Sequence, residues 1–310
     1  MNIDKIHTAF LSSKTLLFTS VFLFVAIHVY PIYNQFNNYS LWGSLFIQIG
    51  IAFFLLQMNH IFNISQNRTF LITIFYLLLI GSNPDFYLDL KGSIAALCVI
   101  LSYYFLFDSY QKPKSQINAL NISLLLVLGS LLRPQLLLFF PVFWIGFYRF
   151  QCFNIRVFFA NLTGFVIVYL FIFTWSVFQD DKHIFLSLLP KFDTMFIINK
   201  PDFTALEWIT NGLLIAFCII TAIYLFLFNL SERVWTISVL SFFYFSTFVG
   251  FIFFFLQSEN KTTWGLIFYM PIAFLTGHFF SKTNKRSLHY LLLIFLLCFI
   301  GIGIAQHMST

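Results

Sequence analysis

Long apolar stretches separated by short polar gaps repeat along the whole chain, at 15–31, 42–58, 69–81, 92–107, 118–132, 134–148, 157–178, 205–228, 234–256, 263–280 and 287–305. Within them apolar and polar residues do not alternate, so the pattern is that of helices and not of barrel strands. A helix needs roughly 20 residues to cross about 30 Å of hydrocarbon. In lipid each backbone N–H and C=O must also find a partner inside the protein. The pattern therefore predicts an all-α fold, a polytopic transmembrane helical bundle of eleven spans. No soluble insertion or clear internal repeat interrupts it, so 1–310 reads as a single integral membrane domain.

One stretch departs from the repeat. At 118–148 two apolar segments meet at Arg133-Pro134 with no loop between them, which predicts a short hairpin. An arm of about 15 residues rises only about 22 Å, less than the hydrocarbon core. Such arms stop short, thin the bilayer or sit inside the bundle. The arginine at the tip is then expected below the membrane surface, facing a polar cavity.

Composition strengthens this picture. The chain of 310 residues is 60% hydrophobic and only 9% charged, too few charges for a water-soluble domain of that length. The formal charge of +6 would suggest nucleic acid in a soluble protein, but these cations sit between the spans. They read as topology signals, and no nucleic-acid partner is expected. With the N-terminus cytoplasmic, Lys5, Lys14, Arg68, Lys112, Lys114, Arg149, Arg156, Arg233, Lys282, Lys285 and Arg286 fall inside. Lys91, Arg133, Lys182, Lys191, Lys200 and Lys261 fall outside, three of them in the long connection 179–204. The first span follows Lys5 and Lys14 but no small-residue cleavage site follows it, so it is expected to stay uncleaved. All six tryptophans lie near predicted span ends, where an aromatic belt is expected.

Candidate chemistry is sparse. Arg133 is costly in the membrane unless paired or near water. Its guanidinium suits a lipid phosphate, which it can hold in a bidentate fork; the competing reading is that it marks the turn and snorkels. Asp85 and Asp89 lie four apart after Asn83-Pro84, and on one helix they would share a face. Paired carboxylates could act as a general base, or they could cap a helix start, Asp89 pairing with Lys91. Asp180 and Asp181 read as solvated loop ends. Gln48, Gln57, Asn121, Asn161 and Asn211 read as interhelical hydrogen-bonding groups. The histidines and four cysteines show no ligand spacing, so neither a metal nor a cofactor is expected. Nucleotide-loop and hydrolase motifs are missing from the sequence. Span interiors hold no carboxylate apart from Glu207, which ranks a proton-coupled transporter last.

The run 80–181, including GSNPDFYLDLKG and the hairpin, resembles an uncharacterised family of bacterial inner-membrane proteins of roughly 300 residues, known as a domain of unknown function. More distantly, Leu132-Arg133-Pro134-Gln135 is similar to the Arg-Pro turn of multi-span glycosyltransferases and polysaccharide polymerases that use lipid-linked sugars. Those enzymes typically carry an acid in the first outer loop, whereas here 31–40 has none, so Asp85 or Asp89 would have to take its part. The resemblance implies bacterial inner-membrane localisation and a role in cell-envelope biogenesis, with membrane lipids or a lipid-linked sugar as partners. A non-catalytic subunit or scaffold with membrane-protein partners is the alternative, and a transporter comes third.

The orientation has a direct check. A reporter active only outside the cytoplasm should be silent when fused after Gln151 and active when fused after Gln179; the reverse pattern would invert the assignment.

Overall fold

A computed structural model describes residues 24, 39–65, 70–83, 85–112, 114–180, 185–186, 189, 203–228, 233–257, 260–282 and 286–309. All its regular elements are helical. They are α1 (Tyr39–Phe62), α2 (Leu71–Gly81), α3 (Asp85–Leu88), α4 (Leu90–Asp108), α5 (Gln116–Leu132), a 3-10 turn (Pro134–Phe139), α6 (Phe140–Arg149), α7 (Ile155–Phe178), α8 (Ala205–Phe228), α9 (Val234–Leu256), α10 (Lys261–Lys282) and α11 (Arg286–Ser309). Six of them, α1, α4, α7, α8, α9 and α10, contain stretches long and apolar enough to cross a membrane. Shorter apolar helices cover Leu71–Gly81, Gln116–Leu132 and Ile294–Gln306. This is the architecture of a multi-pass membrane protein. The expected first span, 15–31, lies outside the described residues save Phe24.

The hairpin differs in its second arm. Arg133 is extended, as a residue before proline prefers, and the chain then makes a six-residue 3-10 turn before the ten-residue α6. Pro134 opens the turn and Pro141 sits in the first turn of α6, two positions where a missing backbone N–H costs little.

α10 is the axis of the bundle. It packs against α9, α2, α4, α8 and α3, and a whole eighteen-residue stretch of it is buried. It is also the least apolar of the six candidate spans. The two facts have one cause: a helix surrounded by protein has no lipid to face, so it can carry Thr263, Thr276, His278 and Ser281, all buried. α7 and α8 lie at the periphery and present Phe159, Leu162, Phe171, Ile219 and Ile223 outward. α2 is buried on almost every side despite its 11 residues. Close approach to α10 makes this possible, because a Cβ at Gly277 would lie 3.0 Å from the Ile72 backbone N and Cα.

Polar side chains bind the inner helices to one another. Ser44 of α1 and Ser93 of α4 share a hydrogen bond of 2.6 Å, Gln48 donates to Ser93 at 2.8 Å, and Tyr76 of α2 donates to Gln48 at 2.6 Å. The expectation of hydrogen-bonding glue is met at Gln48. Asn161 differs, because neither atom of its buried amide has a partner.

The helix ends form two layers. One gathers 82–89, Arg133, Thr204 and 257–263, and is called the Arg133 end below. The other brings 109–115 against 150–152 and Trp235 against Phe62, and contains Arg149 and Arg156. Trp264 lies near the start of α10, as expected, but is buried at 1% exposure and donates its indole N–H to Gln257 instead of facing outward, whereas Trp42, Trp175 and Trp208 are exposed.

Glycine substitutions test this packing. Gly277→Ala should lower the thermal midpoint of the purified protein by an amount reflecting about 1–3 kcal/mol of overpacking. Gly50→Ala, where an added Cβ meets nothing within 4 Å, should leave it unchanged or raise it.

Candidate functional site

The Arg133 end holds two ion-paired groups joined by the first turn of α10. In the first group, Arg133 Nη2 donates to Asp89 Oδ2 at 2.7 Å and Nη1 donates to Asn260 Oδ1 at 3.1 Å. Thr262 Oγ1 donates to the same Asp89 oxygen at 2.7 Å, with Thr263 Oγ1 farther off at 3.4 Å. In the second, Lys261 Nζ lies 2.9 Å from Glu207 Oε1 and 3.3 Å from Asp85 Oδ2. Asn83 donates its amide N–H to Glu207 Oε1 at 3.0 Å, and the backbone N–H of Thr204 donates to Oε2 at 2.8 Å.

Local sequence explains each position. Asp89 is the N-cap of α4: its Oδ1 accepts the backbone N–H of Gly92 at 2.9 Å, satisfying one of the donors a helix start leaves open. Gly92 is required by this arrangement, since a Cβ there would come within 2.5 Å of Asp89 Oδ2. Asn83 Oδ1 accepts the backbone N–H of Asp85 and starts the single turn of α3. Glu207, at the third position of α8, accepts the Thr204 N–H while the Thr204 hydroxyl accepts the Glu207 N–H at 3.2 Å, a reciprocal capping box. Asp85, Asp89 and Glu207 thus each stand at a helix start in this layer, and the open N–H ends of α4 and α8 favour the Asp89 and Glu207 carboxylates.

Asp85 and Asp89 do not lie on one helix. α3 ends at Leu88, and Asp89 already belongs to the start of α4, so the shared-face expectation is corrected. The reason is the capping preference of Asp89, which turns the chain between two helices instead of letting one continue. Asp89 pairs with Arg133 and not with Lys91, which is exposed. Asp85 and Arg133 meet only indirectly, through the turn Asn260 to Thr262. Asp180 is exposed, and Asp181 lies outside the described residues.

Electrostatics separate the two aspartates. Burial raises the Asp89 pKa, but the Gly92 N–H, the hydrogen bond from Arg133, that from Thr262 and the Arg133 charge together outweigh it, so the carboxyl is held below its ordinary value. Such a carboxylate is a weak proton acceptor. The Asp85 side chain is 41% exposed, against 12% for Asp89, and has one cationic partner that it shares with Glu207. Arg133 keeps a buried donor open, since its Nε has no partner. Among the described residues no group of three or more His, Cys, Asp or Glu is gathered to hold a metal ion.

Sequence reasoning singled out Asp85, Asp89 and Arg133 but not Glu207, Lys261, Asn83, Asn260 or Thr262. Two signals point to the missing pair: Glu207 is the sole carboxylate within a predicted span, and Lys261 stands two residues before one. Linking them required the fold, because 54 residues separate them. No protein-family model, curated protein or solved structure matches the chain. The chemistry of the site must therefore be read from its own geometry.

Asp89→Asn leaves the arginine unpaired and should cost about 3 kcal/mol, at the low end for breaking a buried pair because Arg133 stays partly solvated. Adding Arg133→Gln should recover part of the loss, as a double-mutant cycle would read. Because folding lowers the Asp89 pKa, its stabilisation is complete above the ordinary carboxylate range near about 3.9 and is lost as pH falls through the folded value. Acid unfolding followed at pH 3–5 should accordingly be less steep in Asp89→Asn than in the parent (a window on the order of one unit either side of the ordinary value).

Proposed function

We propose that this protein acts in bacterial cell-envelope biogenesis, as an inner-membrane protein of about eleven spans with a cytoplasmic N-terminus. In this reading the Arg133 end faces outward and handles a lipid-linked saccharide or the lipid that carries it. The observation supporting it is the guanidinium of Arg133, oriented by Asp89 and Asn260, with a buried and unused Nε–H and, directly after Asn260 in the chain, the Lys261 ammonium. A phosphate oxygen bound at Nε would satisfy a donor that burial otherwise leaves open, a cost of about 1–3 kcal/mol. The unused donor favours a ligand over a residue that only snorkels.

The chemistry assigns different work to the carboxylates. Asp89 positions Arg133. Asp85, more exposed, takes the proton of an acceptor hydroxyl as its oxygen bonds to the anomeric carbon of the donor sugar. The bond from that carbon to the lipid phosphate breaks, and the phosphate leaves with its lipid, its negative charge met by Arg133 and Lys261. The resemblance to enzymes using lipid-linked sugars supports the same assignment.

One observation favours the alternative, a non-catalytic membrane subunit or scaffold. Both cations already have carboxylate partners, three acids to two bases, so the site is complete as a clamp between helices without any ligand.

Arg133→Lys and Asp85→Asn distinguish the readings. If the site handles lipid phosphate, gene deletion should make lipid-linked intermediates accumulate, and both variants should reproduce this at unchanged protein level and insertion. Restoration of parental lipid and surface-glycan profiles by both variants would instead support the clamp.

A further inference from the structure

A second site lies toward the other end of the bundle, between the hairpin and α7. A cavity of about 240 Å³ is lined by Leu137, Phe140, Trp144, Phe158, Asn161, Leu162 and Phe165. Its wall is almost wholly hydrocarbon, yet two polar side chains line it with nothing to bond. Asn161 is 2% exposed, and neither its Nδ2 nor its Oδ1 has a partner; the Trp144 indole N–H is likewise buried and unpartnered. Buried amides and indoles without partners are costly, and in a native structure such groups point to something that occupies the site.

The surroundings indicate the occupant. α7 is a peripheral helix whose neighbouring residues Phe159, Leu162 and Val166 are exposed, so the cavity opens where bilayer lipid would be. Trp144 stands five residues before Arg149 on α6, and Asn161 five residues after Arg156 on α7. At 1.5 Å per residue each polar pair lies about 7.5 Å along its helix from an arginine. Both arginines are exposed, and neither makes an ion pair among the described residues. Two cations at the helix ends, two N–H donors one to two turns deeper, and an apolar cleft that runs alongside the donors and on to Leu137 and Phe165 follow the order of parts in a phospholipid: phosphate, ester carbonyl, acyl chain.

We propose that this cleft binds one anionic glycerophospholipid. Arg149 and Arg156 meet the headgroup phosphate, with their stems along the helix surface. The Trp144 N–H and the Asn161 amide donate to an ester carbonyl. An acyl chain lies between Leu137, Phe140, Phe158, Leu162 and Phe165. The site is separate from the Arg133 end and does not depend on the function proposed for it.

The test is native mass spectrometry and thermal unfolding of the delipidated, detergent-solubilised full chain, titrated with phosphatidylglycerol or phosphatidylcholine. The parent should hold phosphatidylglycerol more tightly than phosphatidylcholine and gain thermal stability from it. Asn161→Leu should bind it about tenfold more weakly, as loss of a bond or two of about 1 kcal/mol each implies. The same variant should be at least as stable as the parent without lipid, because an unsatisfied buried amide is gone; this separates lost binding from failed folding. Arg149→Gln with Arg156→Gln should abolish the preference between headgroups while phosphatidylcholine binding persists. Equal affinity of the parent for both lipids, a cleft that holds detergent only, or unaltered phosphatidylglycerol binding in Asn161→Leu would each overturn the proposal.

Discussion

The structure depends on the first turn of α10. Residues Asn260 to Thr263 contact Arg133, Glu207, Asp85 and Asp89, and through them reach the ends of α5, α8, α3 and α4. Charges in a medium less polar than water are tolerated only when paired and hydrogen-bonded. A helix shifted by one turn at this end would strand a carboxylate or a cation, a larger penalty than the loss of an apolar contact. Apolar packing in lipid cannot fix register this way, because lipid tails and side chains are about equally favourable neighbours. The ionic turn therefore supplies positional specificity that the hydrophobic surfaces lack.

From that turn the polar contacts continue inward. Ser93 donates to the Asp89 carbonyl at 3.0 Å and is itself linked to Ser44 and Gln48, with Tyr76 beyond. α1, α2 and α4 are thus tied to the same layer as the ion pairs. Around this centre the aromatic side chains fill space: Tyr103 and Phe107 stack at 6.3 Å, and both meet Phe242 and Phe243 edge-on at centroid distances of 5.3 to 6.1 Å. Burial of α10 on all sides is what allows polar residues to run its length, while α7 and α8, facing outward, stay apolar.

The two ends of the bundle have opposite electrostatic character. At the Arg133 end every described carboxylate of the cluster has a cationic or amide partner, and the buried guanidinium Nε–H is open. Toward the other end the open groups are two exposed arginines and, deeper, an amide and an indole. The first arrangement suits selective contact with one phosphate in a crowded polar site. The second suits a lipid lying lengthwise against the protein surface. A chain that handles lipid at one face while holding lipid at the other would be anchored during the first task, and nothing in the geometry makes the two compete.

Much of the architecture was legible from the residues. Apolar length and the absence of alternation specify helices, because lipid offers the backbone no other partner; predicted spans at 205–228 and 234–256 coincide with α8 and α9. Arg133 stood out because an arginine between apolar arms must find a partner, and Asp85 and Asp89 stood out as acids beside a span. Which acid meets Arg133 was not readable. Asp89 does so because it caps α4 and turns the chain away from α3, an outcome of competing local hydrogen bonds. Glu207 and Lys261, distant in sequence, become partners only when α8 and α10 are packed. The difference between Gln48, bonded at both its amide nitrogen and its oxygen, and Asn161, with no partner at either, likewise has no signature in composition or spacing. Sequence by itself determined the helices and the charges that needed partners, since both follow from the cost of exposing polar groups to lipid. Tertiary structure alone decided the pairings and left two polar groups unpaired in a cleft, since these depend on which helix faces meet.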